Sequence, residues 1–107
     1  MPYYMFQGAY TSEAWEGLVR RPQDRSRAIR AVAKSLKGRV VSFYNSFGEY
    51  DVVVIAEMPN NEAAAGFSMA AAAGGAVKAL KTTPLMTVKE GVDAMRKADK
   101  ASYQRPK

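Results

Sequence analysis

The sequence predicts an α+β domain in which helices cover one face of a four-stranded antiparallel sheet. Three observations lead there. Strand and helix patterns follow one another as β-α-β-β-α-β, with one more helix at the C-terminus. The run Asp51-Val52-Val53-Val54-Ile55-Ala56-Glu57 is β-branched without polar alternation, which marks a central strand covered on both faces. At 107 residues the chain is long enough for one hydrophobic core and too short for two. This element order is the ferredoxin-like, split βαβ arrangement, with the first and third strands in the centre of the sheet. Residues 1–100 are read as that single domain and 101–107 as a mobile basic tail.

Each element has its own signal. Tyr3 to Ala9 alternates Tyr4, Phe6 and Gly8 against Tyr3, Met5 and Gln7, as a strand does. Thr11-Ser12, with Glu13 and Glu16 following, can start a helix, since a hydroxyl caps free backbone N–H groups and carboxylates favour the positive dipole end, and Pro22 interrupts or restarts that helix. Ile29, Val32, Ala33 and Leu36 recur at helical spacing as far as Gly38, which is placed to be the left-handed residue that ends it. Arg39 to Asn45 is a second strand, and a short turn at Ser46-Phe47-Gly48-Glu49 leads into the third, Tyr50 to Glu57. Pro59-Asn60-Asn61-Glu62 supplies a stop, a cap and an acidic first turn for the Ala-rich helix 61–73, which Gly74-Gly75 terminates. Ala76 to Thr87, with Pro84 and two lysines, suits an edge strand, and Val88 to Lys100 a last helix.

Composition excludes much chemistry. Of the apolar residues 18 are Ala, and Ile, Leu, Val and Phe total only 20, so the core depends on where those few sit. With no Cys there is no disulfide, thiolate nucleophile or Cys-bound zinc. With no His, an imidazole base and a His-ligated haem are excluded as well. No cofactor and no metal site is expected. No run approaches the roughly 20 apolar residues of a membrane span, and no secretory leader pattern opens the chain, so a cytoplasmic protein without membrane contact is expected.

The net charge of +6 is segregated. Residues 20–39 hold eight basic side chains against Asp24 alone, whereas residues 40–77 hold four acids and no base. Arg27, Arg30, Lys34 and Lys37 recur at helical spacing, which a solvated helix face explains; a polyanion-binding stripe is the rival reading. Specific nucleic-acid binding is not expected. An RNA-recognition sheet presents aromatic residues on its third strand, and here that strand is aliphatic.

Consecutive valines on one strand leave some pointing away from the helices. Val53 with Ile55, or Val52 with Val54, together with Met5 or Phe6 and Val41 or Tyr44, makes an apolar surface of a kind that monomers seldom leave open. A second copy packed sheet to sheet is the economical cover. The rival is the C-terminal helix, whose short stripe Val88, Val92, Met95 covers only part of it.

Phe47-Gly48-Glu49-Tyr50-Asp51, after the alternating Val41-Ser42-Phe43-Tyr44 and before the buried strand, resembles the GYD-domain family, named for its Gly-x-Tyr-Asp motif. The similarity extends to Gly8–Thr11 and to the helix start at Pro59-Asn60-Asn61-Glu62, covers most of residues 3–90, and leaves the chain beyond about Val92 outside. It implies a ferredoxin-like domain related to dimeric α/β-barrel proteins, whose two sheets enclose a cavity. It implies no established reaction.

The motif residues have physical roles of their own. Gly48 can supply a positive φ in the hairpin, Tyr50 can lay its ring on an apolar surface, and Asp51 can accept N–H bonds from the turn. Tyr50 and Asp51 acting as an acid/base pair is the functional reading, for which Asp51 must be buried enough to hold a proton. Adjacent strand residues point to opposite faces, which sets the pair apart. Tyr4, Phe6, Ser42 and Tyr44 are candidates to line one aromatic pocket or a tyrosine-rich interface, and Trp15 either stacks on a ligand or packs at the sheet edge. The expected function is a homodimer that binds a small apolar or aromatic molecule between its sheets. The alternatives are a cofactor-independent oxygenase or isomerase and weak polyanion or RNA binding through the basic helix.

Overall fold

The computed structural model describes residues 1–106. Its elements are β1 (Tyr3–Tyr10), α1 (Ser12–Arg20), α2 (Ser26–Ser35), β2 (Arg39–Asn45), β3 (Val52–Glu57), α3 (Asn61–Ala73), β4 (Val77–Leu85) and α4 (Val88–Lys100). The strands form one antiparallel sheet in the order β2-β3-β1-β4. This is the expected ferredoxin-like arrangement, with β1 and β3 central.

Register decides the two faces. Tyr4 sits opposite Ala56 and Phe6 opposite Val54, so these four share the face that the helices cover. They pack with Ala33 of α2, Ala64 and Phe67 of α3, Val40 and Met58. The Phe6 and Phe67 rings lie 4.4 Å apart, tilted by 41°. Each of these large side chains contributes about 1.5–3 kcal/mol by leaving water, which is how a chain with few of them still builds a core. Asn60 caps α3 by accepting from Ala63 N–H at 2.9 Å, and the Tyr4 hydroxyl donates to Asn61 Oδ1 at 2.6 Å, so the core strand and the helix start are tied together. β4 is an edge strand as expected, with Pro84 opposite Tyr4.

Two glycine expectations are corrected. The left-handed residue after α2 is Lys37, with φ 66°, and not Gly38. Lys37 N–H bonds to Lys34 C=O and Gly38 N–H to Ala33 C=O, which is the Schellman pattern with Lys37 at its left-handed position. Gly38 is required for space, because a Cβ there would overlap Met58 Sδ and the Glu57 carbonyl oxygen. Gly48 has no positive φ, and a Cβ on it would meet nothing within 4 Å. Gly75, which closes α3, does take φ 80°.

The last helix does not fold back. None of the α4 residues is buried, and Val88 and Met95 are 87% and 70% exposed. The radius of gyration is 17.0 Å, where a compact chain of this length has about 13 Å, and the longest dimension is 56 Å. α4 is an arm whose start is closed by a capping box, where Thr87 N–H donates to Glu90 Oε1 at 2.8 Å and Glu90 N–H donates to Thr87 Oγ1 at 3.1 Å. Residues 102–106 have no regular structure, and Lys107 of the expected tail lies outside the described residues.

Gly38→Ala is expected to cost about 1–3 kcal/mol by overpacking, whereas Gly48→Ala changes stability by less than about 0.5 kcal/mol; thermal denaturation of the two variants checks this. The N–H bond from the Thr87 backbone, then the Thr87 side chain, holds the Glu90 carboxyl below its ordinary range. A lowered folded-state pKa contributes stability above the ordinary carboxylate range that is lost as pH falls through the lowered value. Amide resonances of residues 88–91 are therefore expected to show fraying on acidification while those of β1 and β3 stay unchanged.

Candidate functional site

The Gly-x-Tyr-Asp segment occupies the β2–β3 connection, at the end of the sheet where Gly8 faces Val52. It is pinned from inside and from the neighbouring strand. Ser46 Oγ donates to the Tyr50 carbonyl at 2.7 Å and Ser46 N–H to the Asp51 carbonyl at 2.7 Å. Asp51 N–H donates to the Gly8 carbonyl at 2.8 Å, which fastens the hairpin to β1.

The Asp51 carboxylate does not serve its own turn, contrary to expectation. Its Oδ2 accepts from Tyr10 N–H at 2.9 Å and from Trp15 Nε1–H at 3.2 Å. Tyr10 is the last residue of β1, where the ladder with β4 shifts register, and a free N–H there needs an acceptor. Trp15 sits in α1, its ring edge-on to Tyr10 at 5.3 Å. One carboxylate thus joins the hairpin, the end of β1 and the first helix. Trp15 packs at the sheet end, 41% exposed. Burial raises the Tyr10 hydroxyl pKa, with Arg25 working against that shift and Asp51 adding to it.

Tyr50 points the other way. Both residues precede β3, and a strand continued back from Val52 would put Tyr50 on the side of the buried Val54 and Asp51 on that of Val53, so the hairpin and not strand alternation sets their directions. It lines an open depression of about 300 Å³ on the uncovered face of the sheet, with Gln7, Phe47, Val53 and Lys81. Gln7 faces Val53 on one side and Lys81 on the other, so the floor of the depression spans β3, β1 and β4. Nothing in the local pattern singles out Gln7 or Lys81; only their pairing places them beside Tyr50. Phe47, at the hairpin tip, is 100% exposed.

The other candidates separate. Tyr4 and Phe6 are core residues on the helix-covered face, while Ser42 faces Ile55 and Tyr44 faces Val53 on the opposite side. The pocket expected from all four is not formed, because the β1 and β3 registers put even-numbered residues of β1 inside and those of β2 beyond Val40 outside. The ladder shift between Val40 and Ser42 produces that inversion, since Val40 is still in the core. No group of three or more acidic side chains that could hold a metal is found among the described residues.

The sequence profile of the GYD domain matches residues 4–95. The chain belongs to the GYD-domain family. The match runs past Val92, where the resemblance was expected to stop, and takes in the first two turns of α4. Among curated proteins no match is found. In this GYD domain the Asp of the motif is a structural acceptor and the Tyr faces the open side of the sheet.

Asp51→Ala leaves the Tyr10 amide and the Trp15 indole N–H without their acceptor, and is expected to destabilise the fold by about 1–3 kcal/mol in urea titrations followed by Trp15 fluorescence. Tyr50→Phe is expected to change stability by less than about 0.5 kcal/mol in the same titration.

Proposed function

We propose that this GYD-domain protein is a homodimer, paired through the uncovered faces of its sheets, that binds a small apolar or aromatic molecule in the space between them. The observation that supports this reading is the character of that face. Met5, Val53 and Ile55 stand on its two central strands and are only half-buried in the single chain, flanked by the exposed Val41 and Tyr44 of β2. α4, the alternative cover, buries none of its residues and leaves this face open. A second sheet removes this surface from water at about 25 cal/mol per Å² of apolar area.

The Tyr50 depression gives the cavity its polar features. A phenol, the Gln7 amide and the Lys81 ammonium border a floor that includes Val53. An apolar or aromatic ligand with one acceptor group suits that lining. Proton transfer by a Tyr50–Asp51 pair finds no support, since the two side chains lie on different sides of the strand.

Native mass spectrometry of the purified protein is expected to give a dimer carrying an additional non-covalent mass. Ile55→Asp places an unpaired carboxylate in the contact at a cost of about 3–5 kcal/mol, which weakens dimerisation more than a hundredfold and yields monomers. A monomeric parent protein overturns the reading.

A further inference from the structure

The helix layer contains a second opening, on the other side of the sheet from Tyr50. α2 and α3 approach one another near Leu36 and Gly66, where a Cβ on Gly66 would lie 3.8 Å from Leu36 Cδ2. Toward the start of α2 and the end of α3 they leave a wedge of about 210 Å³. Small side chains keep it open, because Ala28 stands on one wall and Ala70 and Ala71 on the other. Its floor is apolar, formed by Ile29, Val32, Phe67 and Val77, and it continues into a narrower space of about 60 Å³ against Phe6 and Val54.

The mouth of the wedge is charged. It opens into a cleft of about 500 Å³ bordered by Arg21, Gln23 and Arg25, with Glu13 as its one carboxylate. Arg25 lines both the cleft and the wedge, and Tyr10 lines the cleft, the wedge and the inner space. Among the described residues neither Arg21 nor Arg25 has an ion-pair partner, whereas Arg20 is held by Glu16 and Arg39 by Glu57. Two free guanidinium groups, Arg25 at the apolar slot and Arg21 on the adjoining cleft, complement a molecule with one anionic end and one hydrocarbon end.

We propose that this wedge binds a free, unbranched monocarboxylate of medium chain length, its carboxylate at Arg25 and Arg21 and its hydrocarbon chain between α2 and α3. A methylene occupies about the liquid volume of a water molecule, roughly 30 Å³, so the wedge takes a chain of about seven carbons beyond the carboxylate. Octanoate matches that length. The Tyr10 hydroxyl, where the charged and apolar parts meet, donates to the carboxylate. This site is separate from the sheet-face cavity and does not depend on dimerisation.

Titration calorimetry of the full chain with octanoate, at concentrations where it forms no micelles, tests the assignment. One octanoate is expected to bind per chain. Arg25→Ala and Ala71→Leu are each expected to weaken it about tenfold or more, Arg27→Ala to leave it within about twofold, and octan-1-ol to bind about tenfold more weakly than octanoate. Should Ala71→Leu fail to fold, as thermal denaturation will report, Ala70→Leu narrows the same wedge from an exposed position. Absence of saturable binding at about 1 mM overturns the proposal. So does octanoate affinity that survives the alanine-to-leucine change, or that is lost instead in Tyr44→Ala on the open sheet face.

Discussion

The β1–β3 ladder sets Tyr4 against Ala56 and Phe6 against Val54, and which side chains of the two central strands reach the open face depends on that parity. Side chains alternate with a period of two, so slipping β1 by one residue against β3 would send Met5 into the core and turn Tyr4 and Phe6 out. The core is small enough that no such exchange is tolerable. Its large members are Tyr4, Phe6, Phe67 and Met58, and the remainder is valine and alanine. Once they are inside, Met5, Val53 and Ile55 have no choice but the other face, and an apolar surface opposite the helices is the unavoidable result.

The Gly-x-Tyr-Asp segment departs from that alternation, because it lies in the hairpin before β3 begins. Asp51 turns toward Tyr10 and Trp15 and acts as a fastening between three elements, while Tyr50 turns toward the open face beside Gln7 and Lys81. A family motif therefore divides into a residue that holds the hairpin in place and one that is free to meet a ligand or a partner. Gly48 carries neither left-handed backbone nor a close contact, and nothing in the structure explains the glycine there.

Alanine has a double effect in the helix layer. Ala33 and Ala64 let α2 and α3 pack close against the sheet, with Ser68 Oγ reaching Thr82 Oγ1 at 2.6 Å on β4. Farther along α3, the same small side chains fail to fill the space between the two helices, and the wedge at Ala70 and Ala71 results. A chain rich in alanine and poor in leucine gains close helix–sheet approach and loses helix–helix filling.

By itself the sequence determined the element order, the central position of β1 and β3, and the helix starts at Thr11-Ser12 and at Pro59-Asn60-Asn61-Glu62. These follow from local periodicity and from the alternation of a strand, which need no knowledge of neighbours. Tertiary structure alone decided what depends on contacts distant in the chain. That Gly38 is needed for Met58 and not for its own φ, that Asp51 serves Tyr10 and Trp15, that Ser42 and Tyr44 part from Tyr4 and Phe6, and that α4 stands away from the sheet are all matters of which surfaces meet. A ladder shift at Val41 or a methionine twenty residues downstream leaves no mark in local pattern, because the physical constraint lies in the partner and not in the residue that obeys it.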